Sequence, residues 1–203
     1  MQKLILIGGG GHCRSCIDVI EATGFFDIVG ILDVAQKIGE KVFDYSIVGT
    51  DNDISKFVAS GVRFLITLGQ IGAGERRAEI FMKIKAAGGE LATIISPRAY
   101  VSSRACVGEG TIIMHGALVN VGVSIGANCI INTKALIEHD VQIEDHCHIA
   151  IRAALSGGVC VGTEAFIGAG AVVAEYRDVP VRAFIKAASI WSGLKVGDGN
   201  ADV

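Results

Sequence analysis

The chain has little proline, no excess charge of either sign and no long apolar run. Only 2 of its 203 residues are proline, against 27 glycines, a balance that favours regular backbone corners over linkers or low-complexity segments. The net charge is -3 and the basic residues are scattered, which argues against a nucleic acid partner. The first apolar run, Leu4 to Ile7, is far shorter than a signal-peptide core or a membrane span. We therefore expect a cytoplasmic protein that does not insert into a membrane.

Paired cysteine motifs are equally scarce. Of six cysteines, only Cys13 and Cys16 form a C-x-x-C, and no second pair stands at the spacing of a zinc ribbon. In a reducing compartment such cysteines are mostly small buried hydrophobic residues. We expect neither disulfides nor a bound metal.

The first part of the chain, residues 1–92, alternates strand-like and helix-like segments. The predicted strands are 3–7, 28–32 and 62–68, and the predicted helices are 13–23, 51–60 and 75–87. This order predicts a small parallel sheet with helices on its faces, an α/β Rossmann-like domain. The glycine-rich run Gly8 to Gly11 follows the first strand, but Cys13 replaces the third glycine of a dinucleotide fingerprint, which removes support for NAD chemistry.

From residue 93 to 203 the period becomes six. Every sixth residue from Ile95 to Ile185 is aliphatic, and a small or β-branched residue follows four positions after nearly all of them. This hexapeptide repeat predicts a solenoid of stacked parallel strands. It resembles the left-handed parallel β-helix, in which three hexads form one triangular coil, so residues eighteen apart should stack. Arg177 breaks the small-residue series, and the stretch 173–180 predicts a shortened solenoid before a C-terminal tail.

One histidine in the repeat stands beside a carboxylate at an outward position. His139 is the third residue of its hexad, between the inward Ile137 and Val141, and Asp140 follows it. A neutral imidazole oriented by an acid can take a proton from an attacking amine or hydroxyl. Gly157 lies eighteen residues later and should stack on His139, where its N–H could bind a developing oxyanion.

These motifs, in their order along the chain, resemble the sialic acid O-acetyltransferase and bacillosamine N-acetyltransferase family over nearly the whole chain. The resemblance rests on Gly8 to His12, the segment Leu68 to Gly72 with Arg76 or Arg77, residues 137–140 and residues 156–158. It implies a homotrimer that uses acetyl-CoA to acetylate an amino group of a nucleotide-linked 4-amino-4,6-dideoxy sugar for bacterial surface glycan biosynthesis. The nucleotide, whether UDP, GDP or CMP, stays open.

The resemblance also implies roles for particular residues. His139 is the general base and Asp140 orients it. The implied acetyl-CoA contacts are His148, Gly157, Ala169 and Lys186. The implied substrate-binding residues are Gly8, Gly10, Gly11, His12, Asp33 and Gly69.

Three other functions are compatible with parts of the sequence. O-acetylation of a sialic acid-like sugar would use the same base. A zinc hydratase like the γ-type carbonic anhydrases would use His139, His146 and His148, although such enzymes lack the N-terminal domain. A protein that binds a nucleotide sugar without catalysis would need neither His139 nor Asp140.

Overall fold

The computed structural model describes residues 1–72 and 74–193, so the predicted C-terminal tail beyond residue 193 lies outside the described residues. The N-terminal part contains β1 (Gln2–Ile7), α1 (Gly11–Thr23), β2 (Phe26–Leu32), β3 (Lys41–Val42), β4 (Tyr45–Gly49), α2 (Ile54–Val58), β5 (Arg63–Ile66) and α3 (Glu75–Ala86). The sheet has the order β3-β4-β2-β1-β5, with parallel pairs except for the antiparallel β3 and β4. The predicted Rossmann-like alternation is confirmed.

The central strand β1 is buried on both sides, which explains its unbroken apolar sequence. Leu4 and Leu6 pack into the core that includes α1, whereas Ile5 and Ile7 pack into the core that includes α3. Gly24 ends α1 at φ 68°, in the left-handed region that glycine adopts without strain.

Two local features differ from the sequence prediction. The hairpin of β3 and β4 was not predicted, because each strand is short and mixes polar with apolar residues. The predicted helix 51–60 is split into a 3-10 turn, Asp51–Asp53, and the short α2, Ile54–Val58. A capping box between Thr50 and Asp53 starts this segment, so its N-cap lies one residue before the predicted helix 51–60.

The second part is a triangular prism of two-residue strands, a parallel β-helix. The first face consists of Ile94–Ile95, Ile112–Ile113, Ile130–Ile131, His148–Ile149, Phe166–Ile167 and Phe184–Ile185. The second face consists of Tyr100–Val101, Leu118–Val119, Leu136–Ile137, Ala154–Leu155, Val172–Val173 and Ile190–Trp191. The third face consists of Cys106–Val107, Ser124–Ile125, Gln142–Ile143, Cys160–Val161 and Asp178–Val179. All pairs are parallel and join residues eighteen apart, as the six-residue period predicts.

The corners of the prism require an unusual backbone. From residue 110 to residue 188, one residue in every six has φ between 52° and 74°. Five of these are glycines, and the others carry side chains despite a strain of roughly 1–2 kcal/mol for each left-handed residue. Burial of the inward aliphatic residues offsets this strain, so corner positions can carry polar side chains such as those of Asp140 and His146.

The predicted shortening of the solenoid near Arg177 is wrong. The strands Val172–Val173, Asp178–Val179, Phe184–Ile185 and Ile190–Trp191 keep the six-residue spacing and pair with the coil before them. Tyr176 takes the left-handed corner position at φ 52°. The backbone ladder therefore continues although Arg177 replaces a small residue.

The N-terminal domain packs on the first face. The outward residues Ile94, Ile112 and Ile130 of that face are fully buried in one core with α1. The Nε2 atom of His115 lies 2.8 Å from Oδ2 of Asp18, which ties α1 to the corner between the first and second faces. This docking places β5 and α3 beside the opposite corner, between the third and first faces.

Candidate active site

His139 and Asp140 lie together at the corner between the second and third faces. Strand Leu136–Ile137 precedes this corner with Ile137 inward, so the next side chains project outward. Nδ1 of His139 lies 3.0 Å from Oδ2 of Asp140, and the two side chains are 48% and 72% exposed. As predicted, the ring faces away from the prism and beside a carboxylate. Asp140 has φ 59°, a conformation that Asp tolerates better than most residues.

Two glycines in neighbouring coils make room for this pair. A Cβ on Gly157 would lie 2.6 Å from both Cε1 and Nε2 of His139. A Cβ on Gly122 would collide with the carboxylate of Asp140. The predicted stacking of Gly157 on His139 is confirmed, and the ring itself fills the space that the missing side chain leaves.

The backbone N–H of Gly157 has no hydrogen-bond acceptor within residues 1–72 and 74–193. At the same place one coil earlier, Glu138 Oε2 accepts the N–H of His139 at 3.3 Å. Two coils earlier, Asn120 Oδ1 accepts the N–H of Val121 at 2.7 Å. The N–H of Gly157 therefore has no partner within the described residues, and the ring of His139 covers this buried glycine.

This corner holds a side chain that can act as a base and a backbone N–H that can bind an oxyanion. With Nδ1–H donated to Asp140, the lone pair of His139 lies on Nε2, which faces Gly157. Such an imidazole can remove a proton from a nucleophile, while the Gly157 N–H can stabilise negative charge on a carbonyl oxygen.

His148 lies elsewhere, on the outside of the first face where the N-terminal domain covers it. It is 7% exposed, its Nδ1 lies 2.7 Å from the carbonyl oxygen of Gln70, and its Nε2 lies 3.0 Å from Nδ2 of Asn132. Burial lowers the pKa of His148 to about 4, so the ring is neutral at pH 7. A neutral ring that donates from Nδ1 can only accept a hydrogen bond at Nε2.

The glycines in the loop after β1 are of two kinds: Gly8 is required by the backbone and its packing, whereas Gly10 and Gly11 face open space. Gly8 has φ 104°, and a Cβ there would lie 2.5 Å from Cδ2 of Leu68. Gly10 precedes α1 with no side-chain cap, and nothing lies within 4 Å of the Cβ positions of Gly10 and Gly11. The free N–H groups and positive end of α1 therefore face open space that suits a phosphate.

His12, in the first turn of α1, is largely buried beside Gly69. The Cβ position of Gly69 lies 3.6 Å from Cβ of His12. Burial, with smaller effects from Arg77 and His148, lowers the pKa of His12 to about 4. Its buried Nε2 has no hydrogen-bond partner in the described part of the chain, which is unusual for a buried polar atom.

Asp33 follows β2 and binds the backbone of the glycine loop. Its Oδ2 accepts the N–H of Gly9 at 2.8 Å and lies 3.1 Å from Nζ of Lys37. Partial burial alone would raise the pKa of the Asp33 carboxyl, but hydrogen bonds from Val34, Gly9 and Lys37 outweigh burial and lower the pKa below its usual value. Asp33 is thus a charged group at the carboxyl edge of the sheet.

A cavity of about 390 Å³ opens at this edge. Gly8, Asp33, Thr50, Asp51 and Arg76 contribute to its lining. Such a crevice, beyond the carboxyl ends of parallel strands, is where open α/β sheets bind nucleotides. Thr50 and Asp51 were not among the predicted site residues, because the strand that they follow, β4, was not predicted.

The predicted acetyl-CoA contacts do not all meet within one chain. Ala169 and Lys186 are exposed at the corner between the first and second faces. His139 and Gly157 lie at the corner between the second and third faces, so the second face separates the two pairs.

The three histidines of the zinc alternative are also separated. His139 lies at the corner between the second and third faces, His146 at the corner between the third and first, and His148 on the first face. Among residues 1–72 and 74–193, no group of three or more His, Cys, Asp or Glu side chains could hold a metal ion. In the same residues, no helix combines the length and apolar character needed to cross a membrane.

Fold and site together define a class: a Rossmann-like domain with a crevice at the carboxyl edge of its sheet, followed by a left-handed β-helix of hexapeptide repeats with an outward histidine. Residues 3–84 match the family model described as the PglD N-terminal domain. No curated protein sequence gives a significant match.

Several solved structures resemble nearly the whole chain. A mutant of perosamine N-acetyltransferase from Caulobacter crescentus, in complex with CoA and GDP-perosamine, is 30% identical, with 94% of this chain and 88% of that chain covered and a TM-score of 0.86. The acetyltransferase domain of PglB from Neisseria gonorrhoeae FA1090 is 26% identical over 98% and 95% of the two chains, with a TM-score of 0.86. The structure of the same domain in complex with acetyl coenzyme A is 27% identical, with 95% of this chain and 94% of that chain covered and a TM-score of 0.84.

The chain belongs to the family that its motifs resemble, the hexapeptide-repeat sugar acyltransferases with a PglD-type N-terminal domain.

Proposed function

We propose that the protein transfers the acetyl group of acetyl-CoA to the amino group of a nucleotide-linked amino-deoxy sugar, of the 4-amino-4,6-dideoxy type. The observation that carries this proposal is the His139–Asp140 pair, whose free Nε2 faces Gly157 at an outward corner. The similarity to a perosamine N-acetyltransferase and to an acetyltransferase domain solved with acetyl coenzyme A supports both the acceptor and the donor.

The reaction needs no acyl-enzyme. The sugar amine attacks the thioester carbon, while Nε2 of His139 takes a proton from the amine and Asp140 stabilises the imidazolium. The N–H of Gly157 binds the oxyanion of the tetrahedral intermediate. Collapse of the intermediate breaks the C–S bond, and the proton held by His139 passes to the departing sulfur, which yields the acetamido sugar and CoA.

The N-terminal crevice would hold the nucleotide of the acceptor. Asp33 and the lining residues Thr50 and Asp51 would contact the nucleoside, and the open start of α1 would face the diphosphate. The cavity lies at the carboxyl edge of a sheet that packs on the first face, whereas His139 lies at the corner opposite that face. A sugar held in the crevice of one chain would therefore reach the His139 of another.

A homotrimer would complete the site. The outward side chains of the second face are all apolar, from Tyr100, Leu118 and Leu136 to Ala154, Val172 and Ile190. The third face presents Ser124, Gln142 and Asp178 instead. Packing second faces around a threefold axis would bury the apolar column and bring the His139 corner of one chain near the Ala169 and Lys186 corner of the next.

The test is release of CoA from acetyl-CoA in the presence of UDP-, GDP- and CMP-linked amino sugars, followed by mass spectrometry of the product. We expect one nucleotide series to give an alkali-stable N-acetyl product, and His139→Ala to lose at least 100-fold in kcat, since general-base catalysis contributes about 10²–10⁴-fold. An alkali-labile ester would indicate O-acetylation, and absence of CoA release with every acceptor would overturn the proposal.

A further inference from the structure

Arg77, on α3, is a buried cation that joins the two domains. It is 1% exposed and ranks among the largest fully buried side chains of the described residues. Nη1 donates to the carbonyl oxygens of Ile66 and Leu68 at 2.8 and 2.7 Å. Nη2 donates to the carbonyl oxygen and Oδ1 of Asn128, at 3.1 and 2.8 Å. One guanidinium thus holds the end of β5 and a corner of the β-helix at the same time.

The segment that Arg77 holds leads directly to His148. Leu68, whose carbonyl oxygen binds Arg77, is followed after one residue by Gln70, whose carbonyl oxygen accepts the hydrogen bond of His148 Nδ1 at 2.7 Å. The side chain of Gln70 donates to the carbonyl oxygen of His146 at 3.2 Å, which ties the same segment to the third–first corner. Between Leu68 and Gln70, Gly69 packs beside His12.

The charge of Arg77 is not balanced by a carboxylate within 4 Å among residues 1–72 and 74–193. Burying a cation with carbonyl partners alone is costly, and well-packed apolar residues of similar volume often stabilise a protein as well as buried charges do. A guanidinium directs its four hydrogen bonds in one plane, and an apolar residue could not do so. Its position is therefore better explained by orientation of the 68–70 segment than by stability alone.

We propose that Arg77 is a positioning residue: it fixes the Leu68–Gln70 segment so that His148 keeps Nδ1–H on Gln70 and presents Nε2 as an acceptor. This inference rests on the proposed function in so far as His148 lies in the acetyl-CoA site. Without Arg77, the carbonyl oxygens of Leu68 and Gln70 can rotate, which removes the acceptor at Nδ1 and leaves the tautomer of His148 held only by Asn132 Nδ2, 3.0 Å from Nε2.

Arg77→Met and Arg77→Lys test this role, with Lys85→Met as the matched control. Lys85 lies on the same helix and makes an exposed interdomain salt bridge with Glu109 at 2.8 Å, without contacting the 68–70 segment. The ring ¹⁵N spectrum of histidine-labelled protein, with His148 assigned from a His148→Gln variant, reports the tautomer without turnover. Steady-state kinetics report the KM for acetyl-CoA. Titration with the free nucleoside diphosphates reports the affinity of the crevice for nucleotides.

For Arg77→Met we expect loss of the single Nδ1–H tautomer of His148 and a rise of at least tenfold in the KM for acetyl-CoA, with nucleotide affinity within about twofold. Arg77→Lys should give values between those of Arg77→Met and wild type for both the tautomer of His148 and the KM for acetyl-CoA. If Arg77→Met does not fold, Arg77→Lys provides the test. Lys85→Met should match wild type. A lower melting temperature with an unchanged tautomer and KM would show a purely structural role and overturn the inference. If wild type transfers no acetyl group, the spectrum still decides whether Arg77 orients His148, separately from the proposed function.

Discussion

The imidazole of His139 lies against the backbone of Gly157, in the volume where any other residue would carry its Cβ. The two residues are eighteen positions apart and belong to successive coils. The position of the ring and that of the proposed oxyanion donor are therefore set by the same stacking, so a change in either residue should disturb both.

Gly157→Ala should reduce turnover without unfolding the protein. The added methyl group would lie 2.6 Å from the ring of His139 and would push it away from its present position. We expect kcat to fall about 10- to 100-fold, since one misdirected catalytic group costs that order. Kinetics and the melting temperature check this, with Ser103→Ala, at the same corner two coils before His139, as the control. Unchanged kcat would show that the ring is not the base.

Asp140→Asn separates charge from conformation. Asparagine is among the residues that tolerate the left-handed region, so the corner at φ 59° should persist. The neutral amide cannot stabilise the imidazolium, and we expect kcat to fall at least tenfold with little change in either KM. A variant as active as wild type would contradict the orienting role of Asp140, provided that its melting temperature is unchanged.

Gly8→Ala and Gly10→Ala should fail in different ways. Gly8 has φ 104° and faces Leu68, so alanine there should destabilise the fold by about 1–3 kcal/mol. Gly10 has φ -82° and open space around its Cβ position, so alanine there should leave stability nearly unchanged but obstruct the diphosphate. Denaturant unfolding and nucleotide titration distinguish the two effects. Unimpaired nucleotide binding by Gly10→Ala would exclude this loop from the site.

Stability should fall on acidification because of His148. Its pKa lies at about 4 in the folded chain and near 6.5 when unfolded, so the unfolded state binds more protons between these values. The stabilisation is complete above about pH 6.5 and is lost as the pH falls toward 4, by about 2–3 kcal/mol for this group. His148→Gln, which has no such proton to bind, should show a smaller loss in urea unfolding from pH 7 to pH 4.5. Equal losses would contradict the buried neutral ring.

Mixing two inactive variants tests whether the site is shared between chains. His139→Ala removes the base from one corner, and Lys186→Glu reverses the charge at the other corner of the second face. If neighbouring chains supply these corners, oligomers refolded from a mixture should regain activity that neither variant has alone. No recovery, in mixtures that light scattering shows to be trimeric, would contradict a site shared between neighbouring chains.

Several elements were predictable because their causes are local. The six-residue spacing of aliphatic residues predicts the solenoid, since each inward position must stack on a copy of itself eighteen residues away. The apolar run of β1 and the glycine loop after it predict the Rossmann-like sheet. The β3–β4 hairpin and the regular coil at Arg177 were not predictable in this way, because neighbouring strands rather than their own residue types hold them in place.

The sequence by itself determined the two-part architecture and the outward placement of His139 beside Asp140, because periodicity decides which side chains point inward. Only the tertiary structure decided that the acetyl-CoA contacts proposed from the motifs lie at different corners. It also decided that His148 is hydrogen-bonded to Gln70 and that Arg77 bridges the domains. Those relationships depend on how one domain docks on one face of the prism, and contacts between residues far apart in the chain leave no periodic trace in it.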